Sequence, residues 1–473
     1  MSTALSPTAP PDQSDGPAAP VWSILPLLRR LHFYAGVLVA PFLLVAALSG
    51  LLYAFTPQID DLVYGDVLTA SSTTGGTRPL ADQVAAAQAA LPAGTVTGVL
   101  PAEGDATTRV VFALPGLDED HRQTVFVNPH TAAVQGQLTT WFGSTPVTTW
   151  LDGLHRHLQL GEPGRLYSEL AASWLWVIAL GGLVLWLSRQ RTARRRARAV
   201  LLPERGARGV RGTRSWHASI GVWVLVGALG LSATGLTWST YAGENFGAAL
   251  ETLRATATPL DTGLPGGPTA SSSGGHEGHG AAGAPSTVDP ATFDKVYAAA
   301  RSAGLDGPLE LGVAAEPGTA WTATQVDNTW PVRRDQAAVD PATGTVTAQA
   351  HFSDRPFLAK LSTLGIQAHM GRLFGLANQL ALALLAVGIA TLIVLGYRMW
   401  WRRRPTRADR RAPLGAPPAR GGWRQLPLWV LIPGPLVVVA IGWAIPLLGL
   451  SLLAFVVLDL LLAVARRRTA RAL

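Results

Sequence analysis

Apolar positions along the chain gather into four separate runs, at about 31–55, 168–188, 216–239 and 376–400, and into a proline-interrupted tail from 426 to 465. A helix rises about 1.5 Å per residue, so roughly 20 apolar residues cross a hydrocarbon core of about 30 Å. Each run therefore predicts one spanning helix and the tail predicts two, six in all. Between the runs lie polar stretches that begin with helical patterns such as "LADQVAAAQAA" and "PATFDKVYAAARSAG" and continue into alternating ones such as "TRVVFAL" and "RQTVFVNPHTAAVQGQ". A period of two is the mark of half-buried strands. The expected fold is a mainly α membrane protein with two small α+β modules between its helices.

In order, the reading gives a disordered Pro/Ser/Ala-rich start (1–28), a first span (29–56), a first module (57–150) and a second span (151–188). An Arg-rich loop (189–215) leads to a third span (216–240). A second module (241–368) carries a flexible Gly/Ser insertion (262–286). A fourth span (369–401), a basic loop (402–425), a helical hairpin (426–465) and a short tail (466–473) complete the chain. The first apolar run exceeds a signal-peptide core in length, so it is read as a retained helix.

Charge then orients the spans. Residues 189–215 hold ten arginines against the single acid Glu204, residues 402–424 hold eight against Asp409, and the tail ends in Arg466, Arg467, Arg468 and Arg471. Basic loops stay on the cytoplasmic side. Both termini are therefore expected inside, both modules outside, and the chain in the inner (cytoplasmic) membrane. The net charge of +8 is explained by this topology, and no nucleic-acid partner is called for. With no cysteine in the sequence, iron–sulfur clusters, thiolate zinc sites and covalent c-type haem attachment are excluded.

The chain also repeats itself. A shift of 185 lays "LHFYAGVLVAPFLLVAALSGLLYAF" over "WHASIGVWVLVGALGLSATGLTWST" without a gap, pairing His32 with His217, Gly36 with Gly221 and Gly50 with Gly235. A shift of 214 pairs His155 with His369, Gly161 with Gly375, Gly182 with Gly396 and Trp186 with Trp400. The expected architecture is a tandem of helix, outer module, helix, closed by the terminal hairpin, with the two copies oriented alike about an axis along the membrane normal.

Of the ten histidines, the four in matched pairs sit at helix ends. His32 and His217 begin outward-running helices near the inner face, and His155 and His369 precede inward-running ones near the outer face. Two imidazoles at one depth between helices suit a bis-histidine b-type haem, whose planar ring takes one nitrogen from each side. Two haems are therefore expected, with Arg30, Arg214, Arg165 and Arg372 near the two levels as propionate partners. The plainer reading makes each histidine an interfacial anchor, which suits one residue better than two matched pairs. His157 competes locally with His155, and Met370 with His369 as an axial ligand. In "GGHEGHG", His276 and His279 form a weak metal-binding candidate in the insertion, more simply read as solvated linker. Trp174, Trp176, Trp400 and Trp401 read as belt residues.

These features resemble the PepSY-associated transmembrane family over about residues 29–404. The resemblance rests on "RRLHFYAGVLVAPFLLVAALSGLLYAF", "GLHRHLQLGEPGR", "SWHASIGVWVLVGALGLSATGLTW" and "IQAHMGRLFG", with the strand pair "VFVNPHTAAVQGQ" and "AAVDPATGTVTAQ". It implies PepSY-like outer modules and di-haem reduction of ferric siderophores or other ferric chelates for iron uptake. It also implies a haem-ligand role for His32, His155, His217 and His369. No catalytic side chain and no nucleotide fingerprint are found, so a cytoplasmic reductase or a quinol is expected to supply electrons. The insertion and the final hairpin depart from a minimal four-helix member. A metal or solute permease and a non-enzymatic, membrane-anchored binding or regulatory protein are the rival readings. Ion-coupled carriers usually place carboxylates in their spans, and here only Glu169 and Asp459 qualify.

Overall fold

The computed structural model describes residues 24–189, 196–267, 271–272, 288–402 and 432–471. The first apolar run forms α1 (Leu25–Leu38) and α2 (Ala40–Ala54), which meet at a bend of 56°. The sequence predicts one continuous span here, and Pro41 explains the break. Proline has no N–H to give the carbonyl four residues back, and its ring crowds that carbonyl. That carbonyl belongs to Val37, and it accepts a 2.8 Å hydrogen bond from the Tyr397 hydroxyl instead.

After α3 (Thr56–Leu68) and α4 (Leu80–Ala90) come β1 (Thr95–Leu100), β2 (Thr108–Ala113), β3 (His121–Val127) and β4 (Val134–Trp141). The chain returns through α5 (Pro146–His157) into the long α6 (Glu162–Arg189). The predicted second span is thus two helices, and the turn between them needs positive φ at Leu158, Gln159 and Gly161. Next are α7 (Arg196–Leu201), α8 (Gly209–Leu236), α9 (Tyr241–Thr252), the short pair β5 (Leu260–Asp261) and β6 (Ser271–Ser272), and α10 (Ala291–Ser302). Then follow β7 (Leu309–Gly312), β8 (Trp321–Gln325), β9 (Gln336–Val339), β10 (Val346–Ala350), α11 (Phe357–His369) and α12 (Leu376–Arg402).

By length and apolarity α6, α8 and α12 can each cross a membrane, and α1 with α2 makes a bent fourth span. The expected terminal hairpin consists of α13 (Pro433–Ala444) and α14 (Pro446–Arg471), whose apolar part ends at Leu461. Both are shorter apolar segments; twelve residues of α13 rise only about 18 Å, short of a full crossing. Six full-length spans are therefore not what the described residues present. In the bundle α6 packs on α8, α8 on α12, and α12 back on α2.

The strands of both polar segments join one open antiparallel sheet in the order β10-β9-β8-β7-β1-β2-β3-β4. At its middle Gly98 of β1 faces Gly312 of β7, and Val99 faces Leu311. Left apart, each four-stranded half would expose β1 or β7 as an open edge; pairing them satisfies both rows of backbone groups. One face buries Phe112, Val125 and Leu311 against Val84 of α4 and Phe293 and Val296 of α10. The other turns toward the helices, where Val67 of α3 lies against Gly136 of β4.

Candidate functional site

The four paired histidines enter the bundle on equivalent elements and are held by equivalent partners. His32 of α1 places Nδ1 3.0 Å from the Ile178 carbonyl of α6, and His217 of α8 places Nδ1 3.0 Å from the Leu392 carbonyl of α12. A carbonyl only accepts, so both rings carry their proton on Nδ1 and leave the Nε2 lone pair free. These carbonyls already belong to helices, and glycine opens them sideways. Gly182 and Gly396 stand four residues beyond Ile178 and Leu392, and a Cβ there would lie 3.0 Å and 3.7 Å from Cε1 of His32 and His217.

The second tier follows the same rule with hydroxyls. His155 Nδ1 lies 3.1 Å from Ser49 Oγ, and His369 Nδ1 lies 2.6 Å from Thr234 Oγ1. Ser49 gives its proton to the Val45 carbonyl at 2.7 Å, and Thr234 gives its own to Gly230 at 2.7 Å. With both hydroxyl protons spent, each imidazole must be the donor, and Nε2 is again bare. Gly50 and Gly235 follow the hydroxyls; a Cβ on them would meet His155 Cε1 at 2.9 Å and His369 Cε1 at 3.8 Å. The rings of His155 and His369 face each other at 6.2 Å between centroids, tilted by 58°. Tyr53 stacks beside His155 at 6.5 Å and Trp238 lies 6.2 Å from His369.

This spacing suits a shared metal. Two imidazoles each bonded through nitrogen at about 2 Å to one ion place their centroids roughly 6 Å apart. Among the described residues no group of three or more His, Cys, Asp or Glu is poised around an ion. The donor set is thus two imidazoles per tier, the number an iron needs when a porphyrin fills its other four positions. The residues present fit such a group, and hydrogen bonds at Nδ1 are what fix ring orientation in metal-ligating histidines.

The remaining candidates separate. His155, not His157, is brought to His369; His157 Nδ1 is buried without a hydrogen-bond partner. Met370 follows α11 as its C-cap, with its N–H on the Ile366 carbonyl. Arg30 forms a buried ion pair with Asp459 of α14 and sits 5.4 Å from the Tyr34 ring. Arg165 lies in the first turn of α6, Arg214 one turn before His217 on α8, and Arg372 in the turn between α11 and α12. His276 and His279 lie outside the described residues. Of the two intramembrane carboxylates, Glu169 caps α9 by accepting from the Tyr241 and Ala242 N–H groups at 3.0 Å each, and Asp459 pairs with Arg30.

The proton-fixing partners were not singled out from the sequence, although the signal was there. Ser49 and Thr234 are 185 apart and Ile178 and Leu392 are 214 apart, the same two offsets that pair the histidines. The model of a family described as PepSY-associated TM region matches residues 29–403. No curated protein matches the chain.

Proposed function

The chain belongs to the PepSY-associated TM family, and on that footing we propose that it carries electrons across the membrane through two b-type haems to reduce a ferric chelate outside. The observation that carries this reading is the set of four imidazoles in two tiers, each turned by a hydrogen bond at Nδ1 so that Nε2 is left to a metal. His32 and His217 would hold the inner group and His155 and His369 the outer one.

When bound, each haem supplies a one-electron Fe(III)/Fe(II) couple. The protein's part is to orient the ligands. Carbonyls and hydroxyls at Nδ1 fix each ring's tautomer and orientation and leave the Nε2 lone pair to a metal, and the glycines let the imidazole edges approach backbone. A cytoplasmic reductase or a quinol gives up electrons at the inner face, a quinol releasing two electrons and two protons as it becomes quinone. Each ferric ion outside takes one electron and becomes ferrous, which hard oxygen ligands of a siderophore hold more weakly. The basic segments support a reading with both termini in the cytoplasm of an inner-membrane protein.

Glu169 and Asp459 are both engaged in fixed structural contacts, which disfavours a permease built on free intramembrane carboxylates. The test is spectroscopic. Protein expressed with ample haem and purified in mild detergent is expected to be red, with a reduced-minus-oxidised difference spectrum, and its reduced form should be reoxidised by added ferric chelate at one electron per iron. Colourless protein would sink the proposal and leave the binding-module reading standing.

A further inference from the structure

On the sheet face that turns toward the helices, Arg109 of β2 stands opposite Leu100 of β1 and Phe126 of β3 in register. Its guanidinium lies 5.9 Å from the Phe126 ring. Its charge is felt by Arg372, three residues after His369 in the α11–α12 turn. That turn is tied to the β8–β9 loop by the Trp330 N–H on the Leu373 carbonyl at 2.7 Å. The same loop ends in Arg334, whose backbone carbonyl accepts from Arg355 at 3.4 Å. Half-buried Arg372 thus lies within electrostatic reach of both Arg109 and Arg334, and Arg355 within reach of Arg334, on the sheet face nearest the outer histidine tier.

The nearby acids are largely engaged elsewhere. Asp60 spends its two oxygens on Thr145 at 2.6 Å and Thr148 at 2.9 Å, Asp335, beside Arg355, spends its own on His351 and the Phe352 N–H at 2.8 Å each, Asp152 pairs with Arg156 at 3.2 Å, and Glu310 on β7 lies toward Arg334. Neither Arg109 nor Arg372 hydrogen-bonds a carboxylate among the described residues. Arg334 donates from a terminal nitrogen to Asn328 Oδ1 but keeps a buried Nε without an acceptor. Burial holds Arg109 below the usual guanidinium range, with Asp60 opposing the fall and Arg372 adding to it. Like charges withdrawn from water with few acceptors are costly, and carboxylates are the anions a guanidinium fork matches best.

We infer that the space between the sheet and the outer tier is a binding site for a carboxylate-bearing ligand, gripped by Arg109 and Arg372 with Arg334 and Arg355 at its side. The carboxylates come either from an anionic ferric chelate or from a porphyrin seated on His155 and His369. The inference deepens the proposed reductase reading and rests on it for the identity of the ligand, while the binding itself requires no electron.

The experiment uses the full-length chain in detergent. Calorimetry measures binding of gallium(III) citrate, an anionic and redox-inert probe, against a cationic gallium(III) hydroxamate chelate; in parallel, haem loss to apomyoglobin is timed. For an external chelate, the wild type binds the citrate complex and not the cationic one. Arg109→Gln and Arg372→Gln each weaken binding at least tenfold, Arg109→Lys keeps most of it, and haem retention stays unchanged. For porphyrin carboxylates, the wild type binds no citrate and the same Gln variants lose haem at least tenfold faster. The inference is overturned if both Gln variants match the wild type in both measurements, or if the cationic probe binds as tightly as the anionic one. Because calorimetry reads binding in colourless protein too, failure of the haem proposal and failure of this site are told apart.

Discussion

His155 and His369 come from helices more than 200 residues apart in sequence, yet their rings stand 6.2 Å apart and tilted by 58°. Ser49 and Thr234 hold the Nδ1 sides, so both Nε2 atoms are available to one ligand. The predictions start from this arrangement.

Removing a hydroxyl that orients a ligand should loosen the outer site alone. Ser49→Ala and Thr234→Val are each expected to weaken haem binding by about 10- to 100-fold, as loss of an outer-shell hydrogen bond usually does. Titration of the apoprotein with haem, resolved into two components, checks it. Equal loss from both components would contradict the assignment.

Glycine at the ring edges is required by space. A Cβ at Gly50 would lie 2.9 Å from His155 Cε1, whereas nothing lies within 4 Å of one at Gly36. Gly50→Val should therefore displace His155 and empty the outer site, while Gly36→Ala should retain both haems, read from the pyridine haemochrome. Retention by Gly50→Val would mean that the ring has room to move.

Tyr397 compensates for Pro41. Tyr397→Phe leaves the Val37 carbonyl without its outside donor, at a cost of about 1–3 kcal/mol for an unmet buried acceptor. Thermal melting in detergent is the measurement, and Pro41→Ala, which restores the missing N–H, should reduce the penalty of Tyr397→Phe. Additive effects of the two changes would argue that they are unrelated.

The terminal helix is fastened by charge. Arg30 and Asp459 keep only 7% and 21% of their side-chain surface exposed, so Arg30→Met or Asp459→Leu alone should destabilise by about 3–5 kcal/mol by leaving a partner uncompensated, and the double apolar change should recover most of it. Trp174, whose indole donates to Ser451 of the same helix at 2.9 Å, belongs to the same docking surface, and thermal melting in detergent reads the loss. A double variant as damaged as the singles would refute the coupling.

One surface pair is set to respond to pH. His351 Nδ1 lies 2.8 Å from an Asp335 oxygen, whose other oxygen accepts from the Phe352 N–H at 2.8 Å. That hydrogen bond, and then the charge of the carboxylate, raises the His351 pKa above its ordinary value. The folded chain therefore holds the proton more tightly than the unfolded one. Its stabilisation is complete below the ordinary imidazole value and fades as pH rises through the folded one. The pair is exposed and the effect small, so the readout is local: Phe352 amide exchange should speed between pH 5.5 and 8.5 beyond its intrinsic rise. Asp335→Asn should remove that excess.

Much of this molecule was legible before folding because it is written as spacing. Apolar runs of crossing length, arginine blocks at their ends and two constant offsets are linear properties, and they were enough to select His32, His155, His217 and His369 from ten histidines. Gly161 and Gly375, matched in sequence, both adopt the positive φ that ends a short helix before a long one. What the offsets could not show is rotation. A helix turns about 100° per residue, so whether His155 or His157 faces His369 depends on how α5 is packed, and that is settled by contacts with α2 rather than by order along the chain.

Three further features required the tertiary structure for the same reason, that each joins groups far apart in sequence. Arg30 stands beside a basic neighbour in the sequence, but its partner is Asp459, 429 positions away. The two polar segments read as separate modules until Gly98 meets Gly312 and closes both open edges into one sheet. The arginines above the outer tier come from β2, the loop before β9, the segment after β10 and the α11–α12 turn, scattered in order and adjacent only in space. Sequence by itself determined which residues are duplicated and which apolar helices carry them. Folding decided which of them face one another, because side-chain direction is set by packing between elements and not by position along the chain.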